Sequence, residues 1–187
     1  MAIATEKYRI LGVYEAGFMY DNAGTATERP LKFINKVDFA NEVNEINFEG
    51  DQQQERVYIF NGLTASVECD YFDLATIATT FAKTEETGIA TIESRTYFGE
   101  TAETTGIAVG FYAKCSAYDS VGAATELIRI VIPRATIGAI EAPNLAYNAK
   151  AQLKFKVTAS KATTDIAGDA LVGVPSGGAF WYLDKMS

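Results

Sequence analysis

The sequence predicts a mainly β protein made of two packed antiparallel sheets, a β-sandwich or barrel, with one flanking α-helix and one long extended loop. Apolar and polar residues alternate with a period of two in run after run, turn residues separate the runs, and only one segment has helical spacing. With 187 residues, 48% of them apolar, the chain is long enough for a single domain with a buried core, and we expect residues 1–187 to form one.

The first two strands are predicted at residues 8–14 and 31–39, with the Asp-Asn-Ala-Gly sequence of residues 21–24 in the loop between them. The second strand would place four apolar side chains on one face: Leu31, Phe33, Val37 and Phe39.

Asn61-Gly62 predicts a tight hairpin between residues 56–60 and 63–72, because this dipeptide tolerates the positive φ angles of a two-residue turn. In the return strand, Ala65, Val67, Cys69 and Tyr71 would face the core, and Ser66, Glu68 and Asp70 would face water.

The one predicted helix begins after Asp73, which can cap it. Its apolar residues Leu74, Ile77, Ala78 and Phe81 have the spacing of one helical face.

Further strands are predicted at residues 94–98, 106–118, 125–132 and 151–159. The last has a basic outward face, with Lys154 and Lys156, whereas residues 66–70 have an acidic one. We therefore expect these two strands to face different surroundings.

Two segments do not fit a compact sandwich. Residues 40–56 form an acidic stretch, either a long loop or an extended hairpin, and residues 160–187 form a loose, glycine-rich C-terminal arm. The arm ends in adjacent aromatic residues, which pack either on the chain's own core or on a neighbouring subunit. Because the predicted core strands end near Ala159, deletion of residues 180–187 is expected to leave the fold intact.

Composition excludes several functions. With 24 acidic and 16 basic residues the net charge is -8, which disfavours tight nucleic-acid binding. The chain has no histidine, the commonest general base and metal ligand, and no phosphate-binding loop, so we expect no metal, no cofactor and no enzymatic activity. No apolar run is long enough to span a membrane, the N-terminus does not have the pattern of a secretory signal, and Cys69 and Cys115 are expected to be buried free thiols.

A carboxylate-only hydrolase is one remaining alternative, because Glu68 and Asp70 would lie about 7 Å apart on one strand face. Acidic residues on the wet face of a strand are common, and catalysis is therefore the weakest alternative. A second alternative is a β-sandwich carbohydrate- or receptor-binding module that uses exposed aromatic residues such as Tyr14, Phe18, Tyr20 or Trp181.

The order of these segments resembles that of the tail tube (major tail) proteins of long-tailed bacteriophages. The segments that carry the resemblance are residues 37–51, 65–71, 74–78, 106–112 and 130–135. The resemblance implies two sheets with a flanking helix, in subunits that form hexameric rings with a central channel. The rings would stack into a tube through a long loop and the termini.

The resemblance thus implies a structural virion protein, assembled in the host cytoplasm, whose tube conducts DNA into the host. Its partners would be further copies of itself, other tail proteins at the tube ends and double-stranded DNA in transit, without a membrane. The contacts between subunits or rings would be made by Glu42, Glu45, Ile46, Phe48, Glu49, Asp51, Phe180, Trp181 and Tyr182. Glu68 and Asp70 would face the channel, where acidic groups repel phosphates, although a plain solvated outer face is equally consistent with their pattern.

Overall fold

A computed structural model describes residues 9–31, 34–50, 53–70, 85–89, 92–96, 109–118, 124–138, 141 and 152–186. These residues contain ten strands: β1 (Arg9–Asp21), β2 (Ala26–Pro30), β3 (Ile34–Gly50), β4 (Gln53–Cys69), β5 (Glu85–Ile89), β6 (Ile92–Thr96), β7 (Val109–Tyr118), β8 (Ala124–Ile137), β9 (Leu153–Ala159) and β10 (Tyr182–Met186). The helix predicted after Asp73 lies outside the described residues. Within them, no helix could cross a membrane.

Eight strands form one antiparallel sheet in the order β2-β1-β7-β8-β9-β4-β3, with β10 paired to β8. Strands β5 and β6 form a separate two-stranded sheet. The mainly β, antiparallel prediction is confirmed. The two separate packed sheets are not confirmed among the described residues, where paired strands connect all eight members of the large sheet.

Strand β8 connects the two halves of this sheet. On the same edge, residues 127–131 pair with β10 and residues 135–137 pair with β9. Pro133 is fully buried between these two segments, where the β7–β8 register is irregular. A proline has no N–H to donate and is tolerated in a strand at such a bulge. The chain therefore changes neighbours at Pro133 without ending the strand.

The sheet curls around its own apolar face. The rings of Phe18 in β1 and Phe155 in β9 are 5.7 Å apart, although three strand spacings in a flat sheet would separate them by about 14 Å. Phe39 in β3 lies 6.5 Å from Phe111 in β7. The core between the two halves comprises Ala16, Phe18, Leu63, Ala65, Val67, Cys69, Val109, Phe111, Ala113, Ile132, Ala135, Ile137, Leu153, Phe155, Val157 and Ala159.

Strand β7 is buried on both faces, which the alternation of its sequence does not predict. Tyr112 lies on the face opposite the main core, yet it is completely buried. It forms a second apolar cluster with Met19 and Val131, and Ile166 and Tyr182 from the C-terminal part of the chain pack against this cluster. The C-terminal segment therefore covers the outer face of the sheet around Tyr112.

The predicted Asn61-Gly62 hairpin is wrong. These residues lie inside β4, which pairs with β3 from Cys69 to Gln53. Glu42 pairs with Gly62 and Val43 with Phe60, so Asn61 is an extra residue, a β-bulge. Two 17-residue strands satisfy many more backbone groups by pairing with each other than a short turn would satisfy. Of the two structures left open for residues 40–56, the extended hairpin is the one observed.

The predicted turn at residues 21–24 is confirmed, but it joins β1, which is longer than expected, to the short strand β2, which the sequence pattern does not predict. Asp21 Oδ1 accepts a hydrogen bond from the Gly24 amide at 2.8 Å, and Ala23 and Gly24 both have positive φ. Short polar and glycine residues at these positions suit such a conformation.

The C-terminal arm differs from the loose segment that the sequence predicts. Ala162 bridges to Ala179, and β10 pairs with β8 from Tyr182 to Met186. Phe180 and Trp181 pack against the main core. The expectation that the core strands end near Ala159 is wrong, because the last strand completes the edge of β8 that β9 leaves unpaired.

An ionic network joins five strands on the outer face. Lys114 Nζ lies 2.7 Å from carboxylate oxygens of both Glu15 and Glu28. Arg129 contacts Glu28 as well as Asp184, with Nη2 2.6 Å from the Asp184 carboxylate. Glu15, Lys114, Arg129 and Asp184 occupy one cross-strand row through β1, β7, β8 and β10. The network thereby fastens the edge strand β2 and the C-terminal strand β10 to the centre of the sheet.

The network shifts the pKa values of its members. Partial burial alone would raise the pKa of Glu28, but hydrogen bonds from Lys114 and Arg129, together with their charges, outweigh burial and lower it below 4.5. Burial raises the pKa of Tyr112, and the charge of Glu15, whose carboxylate accepts a hydrogen bond from the Tyr112 hydroxyl at 3.1 Å, acts in the same direction. The folded state therefore favours an ionised Glu28 and a neutral Tyr112.

We expect the Glu28 carboxylate to make stability depend on pH. Because its pKa is lower in the folded state, its contribution is complete above 4.5 and is lost as the pH falls through the folded-state pKa. Glu28→Gln should cost about 1 kcal/mol at neutral pH and should lose less stability on acidification than the parent protein. Denaturant unfolding at neutral and acidic pH measures both. Equal acid sensitivity of the two proteins would contradict this.

Deletion of residues 180–187 is expected to destabilise the monomer by at least about 3 kcal/mol, since it removes β10, Asp184 and the aromatic side chains on the core. Denaturant unfolding of the truncated chain measures the loss. Leu183→Ser is the matched control, because Leu183 is 54% exposed and its replacement should change the free energy of unfolding by less than about 0.5 kcal/mol.

Candidate assembly interface

The outer part of the β3–β4 hairpin extends beyond the sheet. Strand β4 pairs with β9 only over residues 64–69. Residues 41–50 and 53–62 pair with each other and with no third strand in the part of the chain that the structure describes, and we call these two segments the ribbon. Ten residues of extended chain span about 33 Å.

One face of the ribbon exposes three neighbouring apolar side chains. Val43 pairs with Phe60, and the next pair on this face is Glu45 with Tyr58. Val43 is 40%, Tyr58 55% and Phe60 52% exposed. We call these three residues the apolar stripe. Ile59, also exposed, lies on the opposite face of the ribbon.

The apolar stripe continues the core-facing side of the sheet. Phe39, Asn41 and Val43 are successive alternate residues of β3 and share a face, and Phe39 packs against the main core. Beyond that point, no second layer lies over the ribbon among the described residues, so its apolar side chains stay in contact with water. Single exposed apolar residues are common on protein surfaces, but a contiguous group on a projecting element is typical of a contact site.

The ribbon is acidic. Its residues include four glutamates and one arginine, a net charge of -3. Arg56 lies 3.4 Å from Glu45, and both side chains are largely exposed, so this ion pair adds little stability. A complementary surface would therefore be apolar with basic groups beside it.

The structure places the predicted contact residues of the acidic segment at different positions. Glu42 and Glu45 are exposed on opposite faces of the ribbon. Ile46, Phe48 and Glu49 lie in β3, but their side chains are not described, and Asp51 lies outside the described residues.

The sequence pattern does not predict the apolar stripe. Residues 56–60 are predicted only as the first strand of an Asn-Gly hairpin, with no face assigned to their side chains. The signal that could have revealed them is the consecutive run Tyr58-Ile59-Phe60, since a strand with one wet face should not have apolar residues on both faces.

The predicted aromatic contacts lie elsewhere, on the C-terminal segment. Phe180, Trp181 and Tyr182 are partly buried against this chain's own apolar clusters. The Lys161 ammonium lies 5.3 Å from the centre of the Phe180 ring, and Lys161 itself is exposed. A further contact of these half-exposed aromatic side chains with a neighbouring subunit stays a prediction.

Glu68 and Asp70 lie on a face of mixed charge. Glu68 accepts a hydrogen bond from Lys154 Nζ at 2.9 Å, and Asp70 accepts hydrogen bonds from Asn35 and Gln152. On its other side, Glu68 is paired with Lys36 of β3. The hydrogen bond from Lys36 to Asp38, followed by the charge of Asp38, raises the pKa of Lys36. The acidic face of β4 and the basic face of β9 are thus adjacent parts of one surface, and the expectation of different surroundings is wrong.

The aromatic residues proposed for carbohydrate or receptor binding do not form one platform. Phe18 is 1% exposed and belongs to the core. Tyr20 packs edge-on against Phe18 and under the Arg29 guanidinium, whereas Tyr14 is exposed. Where the structure describes side chains, no group of three or more acidic or cysteine residues is placed to hold a metal ion.

Comparisons with known proteins define no family for this chain. No protein-family model matches it, and no curated protein matches it. Among solved structures, it is similar to a chain of the cryo-EM structure of the anti-feeding prophage baseplate, 6-fold symmetrised, at 8% identity and a TM-score of 0.37. The alignment covers 84% of this chain and 91% of that chain. A TM-score this low does not establish a shared fold.

We expect both cysteine thiols to be unreactive in the native protein. Cys69 and Cys115 are buried and not joined in a disulfide, and burial together with Asp70 raises the pKa of Cys69 to about 11. A thiol-reactive chromogenic reagent should label neither residue at neutral pH and both after denaturation. Rapid labelling without denaturant would show that the core opens locally.

Proposed function

We propose that this protein is a non-enzymatic structural virion protein that forms stacked, hexameric rings of a phage tail tube, through which DNA passes into the host. The observation that carries the proposal is the ribbon, an arm whose apolar stripe is exposed and is not covered by any of the residues that the structure describes. The segment order of the sequence, which resembles that of tail tube proteins, supports the same role.

The partner that covers the apolar stripe is a second copy of this chain. The ribbon is acidic and apolar, and the same chain has a surface of complementary chemistry around Phe180, Trp181 and the exposed Lys161. The predicted contact residues of the acidic segment and those of the C-terminal aromatic segment then form the two sides of one interface. Contacts between two different surfaces propagate from copy to copy, forming a closed ring or an open filament.

The mixed-charge face of β3, β4 and β9 suits a channel wall. Of the lysines on this face, Lys36 and Lys154 are already paired with carboxylates at 2.5 and 2.9 Å, whereas Lys156 is exposed. Paired lysines neutralise few DNA phosphates, so little binding energy arises from counterion release. The overall charge of -8 acts in the same direction. Paired lysines on the wall and a net negative charge together allow DNA to pass without adhering.

The proposal predicts that assembly depends on the apolar stripe. Across a concentration series, negative-stain electron microscopy of the parent protein should show rings or tubes with a central hole. Tyr58→Ser combined with Phe60→Ser should raise the concentration needed for assembly at least about tenfold, since it removes two exposed aromatic anchors. Val172→Ser, at an exposed apolar residue outside the ribbon, is the matched control and should assemble normally.

Charge exchange tests the choice of partner surface. Glu45→Lys and Lys161→Glu should each weaken assembly, and the double variant should recover part of it if the two side chains meet across the interface. Parent protein that stays monomeric at every concentration would contradict the proposed assembly. A double variant that assembles no better than the single variants would contradict the contact between Glu45 and Lys161. A monomer that binds glycans would favour the binding module instead.

A further inference from the structure

Asn61-Gly62, the strongest short-range turn signal in the sequence, does not form a turn. We propose that the bulge at Asn61 sets the direction in which the ribbon leaves the sheet, and thereby determines which surface of a second copy the apolar stripe reaches. The first part stands on the geometry of this chain alone. The second part rests on the proposed function.

The register locates the bulge at one point of the hairpin. Glu42 pairs with Gly62, and the next residue of β3, Val43, pairs with Phe60. Asn61 therefore has no partner of its own in β3. A bulge of this kind bends its strand and increases the local twist. The other irregularity in the β3–β4 register lies at the opposite end of the hairpin, near Ile34.

The bulge lies where the support of the core ends. Leu63 is 2% exposed and Gly62 is buried, whereas Asn61 and Phe60 are exposed. The pairing of β4 with β9 ends at Thr64, the residue that follows Leu63. A bend inside the core would disturb packing, and a bend near the tip would redirect only a few residues. At Asn61 a bend redirects the whole ribbon.

The extra residue shifts the side-chain alternation of β4 by one position, so that Phe60, and not Ile59, lies on the same face as Leu63. Residues paired across two strands share a face, so Phe60 lies on the same face as Val43, which is the core-facing one. The apolar stripe thus stays continuous with the core across the bend. An added Cβ at Gly62 would lie 3.3 Å from a Glu42 carboxylate oxygen, so the Glu42 side chain lies close over the bulge.

Deletion of Asn61 changes the direction of the ribbon without changing the side chains of the apolar stripe. It leaves the pairs Val43–Phe60 and Glu45–Tyr58 and their faces unchanged, but it makes the β3–β4 pairing regular and removes the bend. Asn61→Ala keeps the extra residue and is the matched control. Insertion of an alanine between Glu42 and Val43 also removes the bulge, but it moves the apolar stripe to the opposite face.

Energy transfer measures the direction of the ribbon in the monomer. Trp181 is the one tryptophan of the chain, and Cys69 and Cys115 are buried, so Gln53→Cys at the far end of the ribbon can take a single acceptor dye. Transfer efficiency from Trp181 should change in the Asn61 deletion and should match the parent in Asn61→Ala. If the deletion variant does not fold, the alanine insertion provides the same comparison. Unchanged transfer in a folded variant that lacks the bulge would overturn the inference.

Assembly is measured separately on the unlabelled proteins. The deletion variant should require at least about tenfold more protein to form rings or tubes, whereas Asn61→Ala should assemble like the parent. A deletion variant that shows altered transfer but assembles like the parent would overturn the link between ribbon direction and assembly. If energy transfer is altered in the deletion variant but the parent protein never assembles, the proposed function is overturned. The inference that the bulge sets the direction of the ribbon is then supported on its own.

Discussion

The structure depends on one constraint: a single continuous sheet has to cover its own apolar face. The aromatic side chains Phe18, Phe111 and Phe155 come from strands distant in the sheet order, and they meet only because the sheet curls. The curl is made by β8, which pairs with β10 along one part of its edge and with β9 along another. Curling gives a core without a second, independent sheet.

The same constraint explains the two unusual parts of the molecule. The C-terminal segment covers the outer face of β7 and β8 with Ile166 and Tyr182, and the ionic network centred on Lys114 and Arg129 holds it there. Among the described residues the ribbon has no comparable cover, because β9 stops pairing with β4 at Thr64. The C-terminal segment is therefore packed on the sheet, whereas the apolar stripe of the ribbon stays exposed among the described residues.

Local patterns predicted the faces of the strands well. Ala65, Val67 and Cys69 are buried, and the alternation of β9 matches its burial at every residue. The candidate site is predicted only in part: the sequence predicts the acidic segment as a contact element, but it assigns no role to the apolar stripe. Asn61-Gly62 shows the reason, since a dipeptide that favours a turn is also tolerated at a bulge, and only the partner strand decides between them.

The sequence by itself determined the antiparallel β class, the burial of alternate residues and the turn after Asp21, because each depends on side chains close together along the chain. Only the tertiary structure decided that the strands form one curled sheet, that Glu68 lies beside Lys154, and that Tyr58 and Phe60 are left exposed. These features depend on which strands become neighbours. That choice follows from contacts between residues far apart in sequence, which no local pattern contains.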